Sequence, residues 1–389
     1  MGDSGKQVKI TYFPDSTDLS VSIIKKTIRV STDGWVRKGE IKVTDDELQQ
    51  ISERISNSLA NLCNHSGNSL EVNTCTHELR ELAEKGYLLF KRLFRKENLR
   101  EDIANYLLKN DNKIIEIHTD GIVVPWNLLY LENPTGKEIN PCKFLAMRHI
   151  IRVNHDTYSD SGGSLLESGE VNDKPSLGLI HLAESDLYAV DTHEIPFFDK
   201  LSKEDKIKLS KLEELDNDGK LKDDQLNKVK GFFKCQHDIL HFACHAYFDP
   251  QDNGKSYLLV SKEFYLTLSD IELLELDNIN TSLTFLNACE VANVFGYIHI
   301  AGTFYEHGAR SVIGAQSWVN DELAAEFMKY FYEELLKGST VGWSLLLARR
   351  KMWKQRENLL GLLYDLYGAS GTRIFRQRNT NTTKGVNHE

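Results

Sequence analysis

"HDILHFACHAYFDP", His237–Pro250, is apolar at almost every position until it meets a histidine, after which a polar stretch runs to a proline. "SLTFLNACEVAN", Ser282–Asn293, repeats the pattern with a cysteine in the histidine's place. Runs that are apolar throughout, rather than alternating, mark strands buried on both faces of a parallel sheet. "KIIEI", "IIRV", "LGLIHL" and "SVIGA" add to the set, and helical segments lie between most of them. The clearest is "NDELAAEFMKYFYEELLKG", with Ala324, Phe327, Phe331 and Leu335 on one face. Asn320 is its expected N-cap and Gly338 lies just past its end. This alternation predicts an α/β fold with a mostly parallel sheet flanked by helices on both faces. "SYLLVSKEFYLTL" reads as a small hairpin inserted between the histidine strand and the cysteine strand.

In an open α/β sheet, reactants gather outside the carboxyl ends of the strands. His245 and Cys289 each follow such a strand, 44 residues apart. If the two strands are neighbours, both side chains meet in one crevice. That is what a Cys-His dyad requires, since a thiol with an ordinary pKa near ~8.5 needs an adjacent imidazole to react as thiolate. The same imidazole can then protonate a departing amine. Alone, each residue has a plain alternative, a buried thiol or a hydrogen-bonded strand-end histidine; the pairing is what points to chemistry. Cys244 precedes His245 and so belongs to the opposite face and the core. His241 and His245 are four apart, which on a strand is ~13 Å and too far to share one metal ion. "EVANVF" after Cys289 has neither the glycine nor the arginine of a cysteine phosphatase loop, and there is no phosphate-loop or dinucleotide fingerprint. No metal or cofactor is expected.

Bulk properties narrow the setting. The 389 residues are 41% hydrophobic and 27% charged, with net charge −10, which argues against binding nucleic acid. The basic runs "KRLFRKENLR" and "LARRKMWKQR" read as solvated helix faces. No apolar run approaches the ~20 residues that span a bilayer, and "MGDSGKQVKITYF" has no apolar signal core. Six dispersed cysteines fit free thiols in a cytoplasmic protein. The first hundred or so residues look α+β, with strands at "KQVKITYF" and "SVSIIKKTIRVS". A helix is capped by Thr44 and Glu47, and two more run around Leu79–Phe94 and Leu99–Leu108. Residues 199–230 are dense in charge and read as an unpacked regulatory or processing loop, and the end of the chain as disordered. The expected division is an N-terminal α+β regulatory or scaffolding portion over 1–110, merging from about residue 79 into the next unit; a main α/β domain over 111–378; and a tail over 379–389.

Taken in order, "LHFACHAYF", "SYLLV", "LTLSDIELLEL", "LTFLNACEVA" and "FYEHGARSVIGAQSWVNDELAAEFMKYFYEELLKG" resemble the CHAT domain, a caspase-like group within the clan CD cysteine peptidases. "IHTDGIVVPWNLLY" resembles the strand and Pro-Trp element near that domain's start, so the resemblance runs from about Leu79 to about Phe375. It implies a caspase–hemoglobinase fold and a His-Cys dyad without an obligatory third residue. His245 would be general base and acid, and Cys289 the nucleophile. The backbone N–H groups of Cys289 and Ala246 would hold the oxyanion. Two positions depart from the family pattern: Ala246 replaces the usual glycine, and Asn287-Ala288-Cys289-Glu290-Val291 replaces Gln-Ala-Cys with a following glycine. By the same resemblance Asn287, Gln316, Ser317 and Asp321 line the primary pocket. No arginine is among them, so cleavage after aspartate is not expected. Asp321 would attract a lysine or arginine side chain unless it serves only the first turn of its helix. The family implies regulated cleavage of a protein partner, latent until an activating partner arrives, in prokaryotic defence or programmed cell death. A non-catalytic binding module, a thiol transferase, and a subunit active only within a larger complex remain open alternatives.

Overall fold

The computed structural model describes residues 17–24, 26–64, 72–119, 124–155, 174–182, 187–212, 222–235, 237–249, 252–261, 264–274, 279, 281–289, 291–292 and 299–375. The strand expected at "KQVKITYF", Glu290 and the tail over 379–389 lie outside them. The strands are β1 (Leu19–Ile24), β2 (Thr27–Ser31), β3 (Val36–Glu40), β4 (Ile114–Thr119), β5 (Ile150–His155), β6 (Ser176–His181), β7 (Lys208–Lys211), β8 (Ile239–Ala243), β9 (His245–Tyr247), β10 (Tyr257–Ser261), β11 (Phe264–Thr267), β12 (Leu283–Asn287), β13 (Ser311–Ala315) and β14 (Tyr364–Gly368). The helices are α1 (Asp45–Asn64), α2 (Val72–Leu93), α3 (Glu97–Lys109), α4 (Leu145–Arg148), α5 (Ile195–Lys203), α6 (Lys222–Lys234), α7 (Leu268–Leu273), α8 (Ile300–Glu306), α9 (Asp321–Leu335) and α10 (Val341–Arg356).

Among the described residues, eleven strands form one sheet in the order β3-β2-β1-β4-β5-β14-β13-β12-β8-β6-β7. Pairing is parallel except at β3–β2, β2–β1 and β14–β13. The antiparallel β13–β14 seam reverses the sheet. Strands β13, β12, β8, β6 and β7 therefore bring their carboxyl ends to one edge, while β14, β5, β4 and β1 end at the other. Every residue of β8, β12, β13 and β14 is buried, which for β8, β12 and β13 is what their apolar reading requires.

Aromatic contacts assign the layers. His241 and Phe285 are register partners, and they meet Phe198 of α5 and Phe331 and Tyr332 of α9. Phe242, pointing the other way, meets Phe233 of α6 and Phe304 of α8. Helices thus cover both faces of the sheet. The α9 signals are as read: Asn320 Oδ1 accepts the Leu323 N–H at 3.1 Å, the predicted apolar face is buried, and Gly338 takes φ +86°. The α1 capping box also forms, with Thr44 and Glu47 exchanging hydrogen bonds at 3.2 Å in both directions. The "SVSIIKKTIRVS" stretch is the β1–β2 hairpin.

Two sequence readings are corrected. Residues 199–230 are not an unpacked loop: α5, the edge strand β7 and α6 occupy much of that stretch. A few well-spaced apolar residues, Leu201, Ile207, Val229 and Phe233, are buried and anchor these elements while the charges face water. "LARRKMWKQR" is not wholly solvated either, because Arg349 is buried at 2% exposure. Its guanidinium donates to the carbonyls of Gly361 (3.0 Å), Ala146 (3.4 Å) and Tyr364 (2.6 Å), joining α10 to β14 and to α4. Burial lowers its pKa to about 10, which leaves it charged at neutral pH. Arg349→Ala would strand those carbonyls in the core and leave a cavity, so it is expected to cost about 3–5 kcal/mol, read as a lower urea midpoint. Arg349→Lys should recover less than half, because an ammonium cannot span the three acceptors.

Candidate active site

The site is set by the pairing of β8 with β12, whose register matches Leu286 to Phe242 and Asn287 to Ala243. His245 and Cys289 each lie two residues further on, so they occupy equivalent positions beyond the ends of adjacent parallel strands. Such strands run about 4.8 Å apart. Both residues are partly exposed. His245 does not begin a loop, as the sequence reading had it. It opens β9, which pairs antiparallel with β10 in a separate three-stranded sheet, His245 opposite Leu259 and Ala246 opposite Leu258. The backbone therefore passes from the main sheet into the small one within two residues, and His245 stands at that junction. Cys244 is buried, and desolvation pushes its thiol well above the usual range, as expected for a core residue.

Cys289 is fixed from below by the turn that follows it. Ala292 N–H donates to Ala315 O at 3.0 Å and Ala301 N–H to Val291 O at 2.9 Å, which lays this turn across β13. Gly314 makes room for it, since a Cβ there would come within 2.9 Å of Val291 Cγ2. The Cys289 thiol donates to Val319 O at 3.8 Å.

Beneath the dyad positions lies a buried polar network that the sequence did not announce. Glu194, 2% exposed, accepts from Asn287 Nδ2 at 2.7 Å through Oε1, and its Oε2 lies 2.9 Å from His241 Nε2. His241 Nδ1 meets Tyr332 OH at 3.2 Å, and Tyr364 OH donates to Asn287 Oδ1 at 2.6 Å. Both ends of the Asn287 amide are thus held. Gln316 donates to Asp365, which also accepts from Asn127 Nδ2 at 2.7 Å. Asn127 belongs to the Pro-Trp element, and its amide reaches the carbonyls of Leu362 and Tyr364 as well. Ser317 is buried beside Gln316. Asp321 Oδ2 accepts the Ala189 N–H at 3.2 Å and Oδ1 the Glu322 N–H at 2.9 Å. Its carboxylate is thereby engaged with backbone, as the helix-start alternative describes.

The structure brings His245, Ala246, Cys289, Asn287, Gln316, Ser317 and Asp321 to the one edge where β8, β12 and β13 end. Sequence reasoning missed Glu194, Asp365 and Tyr364, and gave Asn127 no role. A glutamate in "YAVDTHEIPFF" reads as surface, and nothing local shows that His241 and Asn287 will enclose it. Among the described residues no group of three or more His, Cys, Asp or Glu side chains is placed to hold a metal.

Burial pushes the Asp365 carboxyl up to about 7, against the Gln316 amide and the Arg349 charge. A carboxyl held above its unfolded value of 3.8 binds its proton more tightly in the folded chain, so stability falls as pH rises from about 4 to about 7. Asp365→Asn removes this slope. Urea midpoints at pH 4.5 and 7.5 should show wild type losing ground to the variant at the higher pH; parallel profiles would contradict it.

Comparison with known proteins follows this geometry. The CHAT domain family matches residues 182–376, so the Pro-Trp element lies outside the match. No curated protein matches the chain. Among solved structures, the Saccharomyces cerevisiae separase–securin complex is similar with a TM-score of 0.51 at 10% identity, over 90% of this chain and 30% of that one. That likeness shows a shared caspase-like fold, and the chain spans less than a third of the separase chain. Also similar are the complex of Porphyromonas gingivalis RgpB pro- and mature domains (TM-score 0.46, 11% identity, 84% of this chain and 78% of that one) and the Arg-specific cysteine proteinase gingipain R (TM-score 0.48, 12% identity, 93% and 80%).

Proposed function

Because the chain belongs to the CHAT domain family and has a caspase-like fold, we propose that it is a cysteine endopeptidase working through His245 and Cys289. The observation that supports this reading is the β8–β12 register, which pairs Asn287 with Ala243, two residues before Cys289 and His245 respectively.

His245 takes the Cys289 proton and the thiolate attacks the scissile carbonyl carbon, forming a C–S bond and an oxyanion. The N–H groups of Cys289 and Ala246 stabilise that oxyanion. The C–N bond then breaks, the departing amine takes the proton from His245, and a thioester remains. Water, deprotonated by His245, attacks the thioester and returns the thiol. Asn287, Gln316, Ser317 and Asp321 form the primary pocket. Since Asp321 already accepts two backbone N–H groups, a basic preference would require it to share one of them.

The substrate is a protein, and the activity is latent until a regulatory protein engages the chain, in the setting of prokaryotic defence or programmed death. A partner is in keeping with the separase neighbour, which was solved with securin bound. The five cysteines whose side chains are described are free thiols, and no described helix is long and apolar enough to cross a membrane; both fit a cytoplasmic setting. The portion over 1–110 would scaffold or regulate the domain over 111–378, through contacts such as Asn358 Nδ2 donating to Cys63 O at 3.2 Å.

The test is cleavage of a diverse peptide library by the full chain, beside Cys289→Ala and His245→Ala. Each substitution should lower kcat/KM at least about 10³-fold with an unchanged urea midpoint. Cleavage surviving either substitution would overturn the assignment.

A further inference from the structure

The small sheet that begins with His245 has one buried and one open face. Leu258 and Leu266 are buried, as alternation requires for the face turned to the core. The opposite face carries His245 and Tyr247 on β9, Tyr257 and Leu259 on β10, and Tyr265 and Thr267 on β11, none of them fully buried. The three tyrosines form a continuous row. Tyr247 and Tyr257 have ring centroids 5.5 Å apart, Tyr257 and Tyr265 4.8 Å, and Tyr247 and Tyr265 are 47% and 46% exposed. The open face of an antiparallel sheet is ordinarily polar, so an exposed run of aromatic rings marks a surface that something covers. Tyrosine is also among the side chains that contribute most to binding.

The reaction says what lies there. In the mechanism above His245 protonates the departing amine, so it stands on the leaving-group side of the scissile bond. The polypeptide beyond that amine leaves the dyad on the side where β9 begins, and Tyr247 is two residues from His245 on the same face. From this continuity we infer that the Tyr247–Tyr257–Tyr265 face binds the substrate segment that follows the scissile bond, selecting large apolar or aromatic side chains there. The inference rests on the peptidase reading of the dyad. It makes the tyrosines specificity-determining residues, with no part in the bond-breaking step.

The probes are internally quenched decapeptides with a fixed half before the cleaved bond and Phe, Leu, Ser, Glu or Lys at the second to fourth positions after it. Wild type should favour Phe and Leu over Ser and Glu by about tenfold in kcat/KM. Tyr257→Ser/Tyr265→Ser should flatten this to within about twofold, whereas Tyr257→Phe/Tyr265→Phe should keep it, because the rings and not the hydroxyls select. A selectivity ratio is not moved by partial loss of folded protein. Equal wild-type rates across the set, preference for a charged residue, or selectivity that survives the serine pair would overturn the inference. If wild type cleaves none of the peptides, the rate of Cys289 alkylation separates a latent peptidase, which reacts fast, from failure of the peptidase reading, and equilibrium binding of the same peptides judges the face by itself. Phe peptides binding at least about fivefold more weakly to the serine pair would sustain it as a polypeptide-docking face, and equal Kd values would overturn it.

Discussion

The pairing of β8 with β12 is the constraint on which the rest of this structure depends. A parallel pair has no freedom to slide when both strands are buried on both faces, because a one-residue slip would exchange every side chain between helix layers. His241 and Phe285 must face α5 and α9, and Phe242 must face α6 and α8. Once those three side chains are seated, the ends of the two strands are matched, Asn287 opposite Ala243. His245 and Cys289, the proposed dyad, each follow that matched pair by two residues, so any alignment between them rests on hydrophobic packing several residues away. The reversal at β13–β14 keeps β14, β5, β4 and β1 from presenting their carboxyl ends at the same edge.

Beneath that edge the protein buries more polar chemistry than a core of this kind needs. Glu194 ties His241 to Asn287, Tyr364 closes the other end of Asn287, and Asp365 ties Gln316 to Asn127. Such groups cost free energy unless their hydrogen bonds are satisfied, and here most of them are paired with one another, the Gln316 Oε1 excepted. What they achieve is rigidity: Asn287 and Gln316, proposed above for the primary pocket, are each held by buried partners from other elements. Through Asn127 one of these links reaches the portion of the chain that precedes β5.

Much of this could be read from the chain itself. The unbroken apolar character of "DILHFAC" and "LTFLNA" marked two-sided burial, and the abrupt change after each marked a strand end. What escaped was long-range. Glu194 and Arg349 sit in helical contexts where a charge ordinarily faces water, and only the tertiary arrangement surrounds them with acceptors and donors. Residues 199–230 looked unpacked because an edge strand and a one-sided helix need few apolar residues. The continuation of β8 into β9 was hidden because a single polar residue resembles a loop start whether or not a second sheet begins there.

The central claim, that the β8–β12 register lets His245 activate Cys289, is tested most directly by alkylating Cys289 with iodoacetamide across pH 5–9, in the full chain and in His245→Ala. The account predicts that the wild-type rate reaches half its maximum at a pH at least about one unit below that of the variant, since an adjacent imidazole favours the thiolate. Coincident profiles would contradict it.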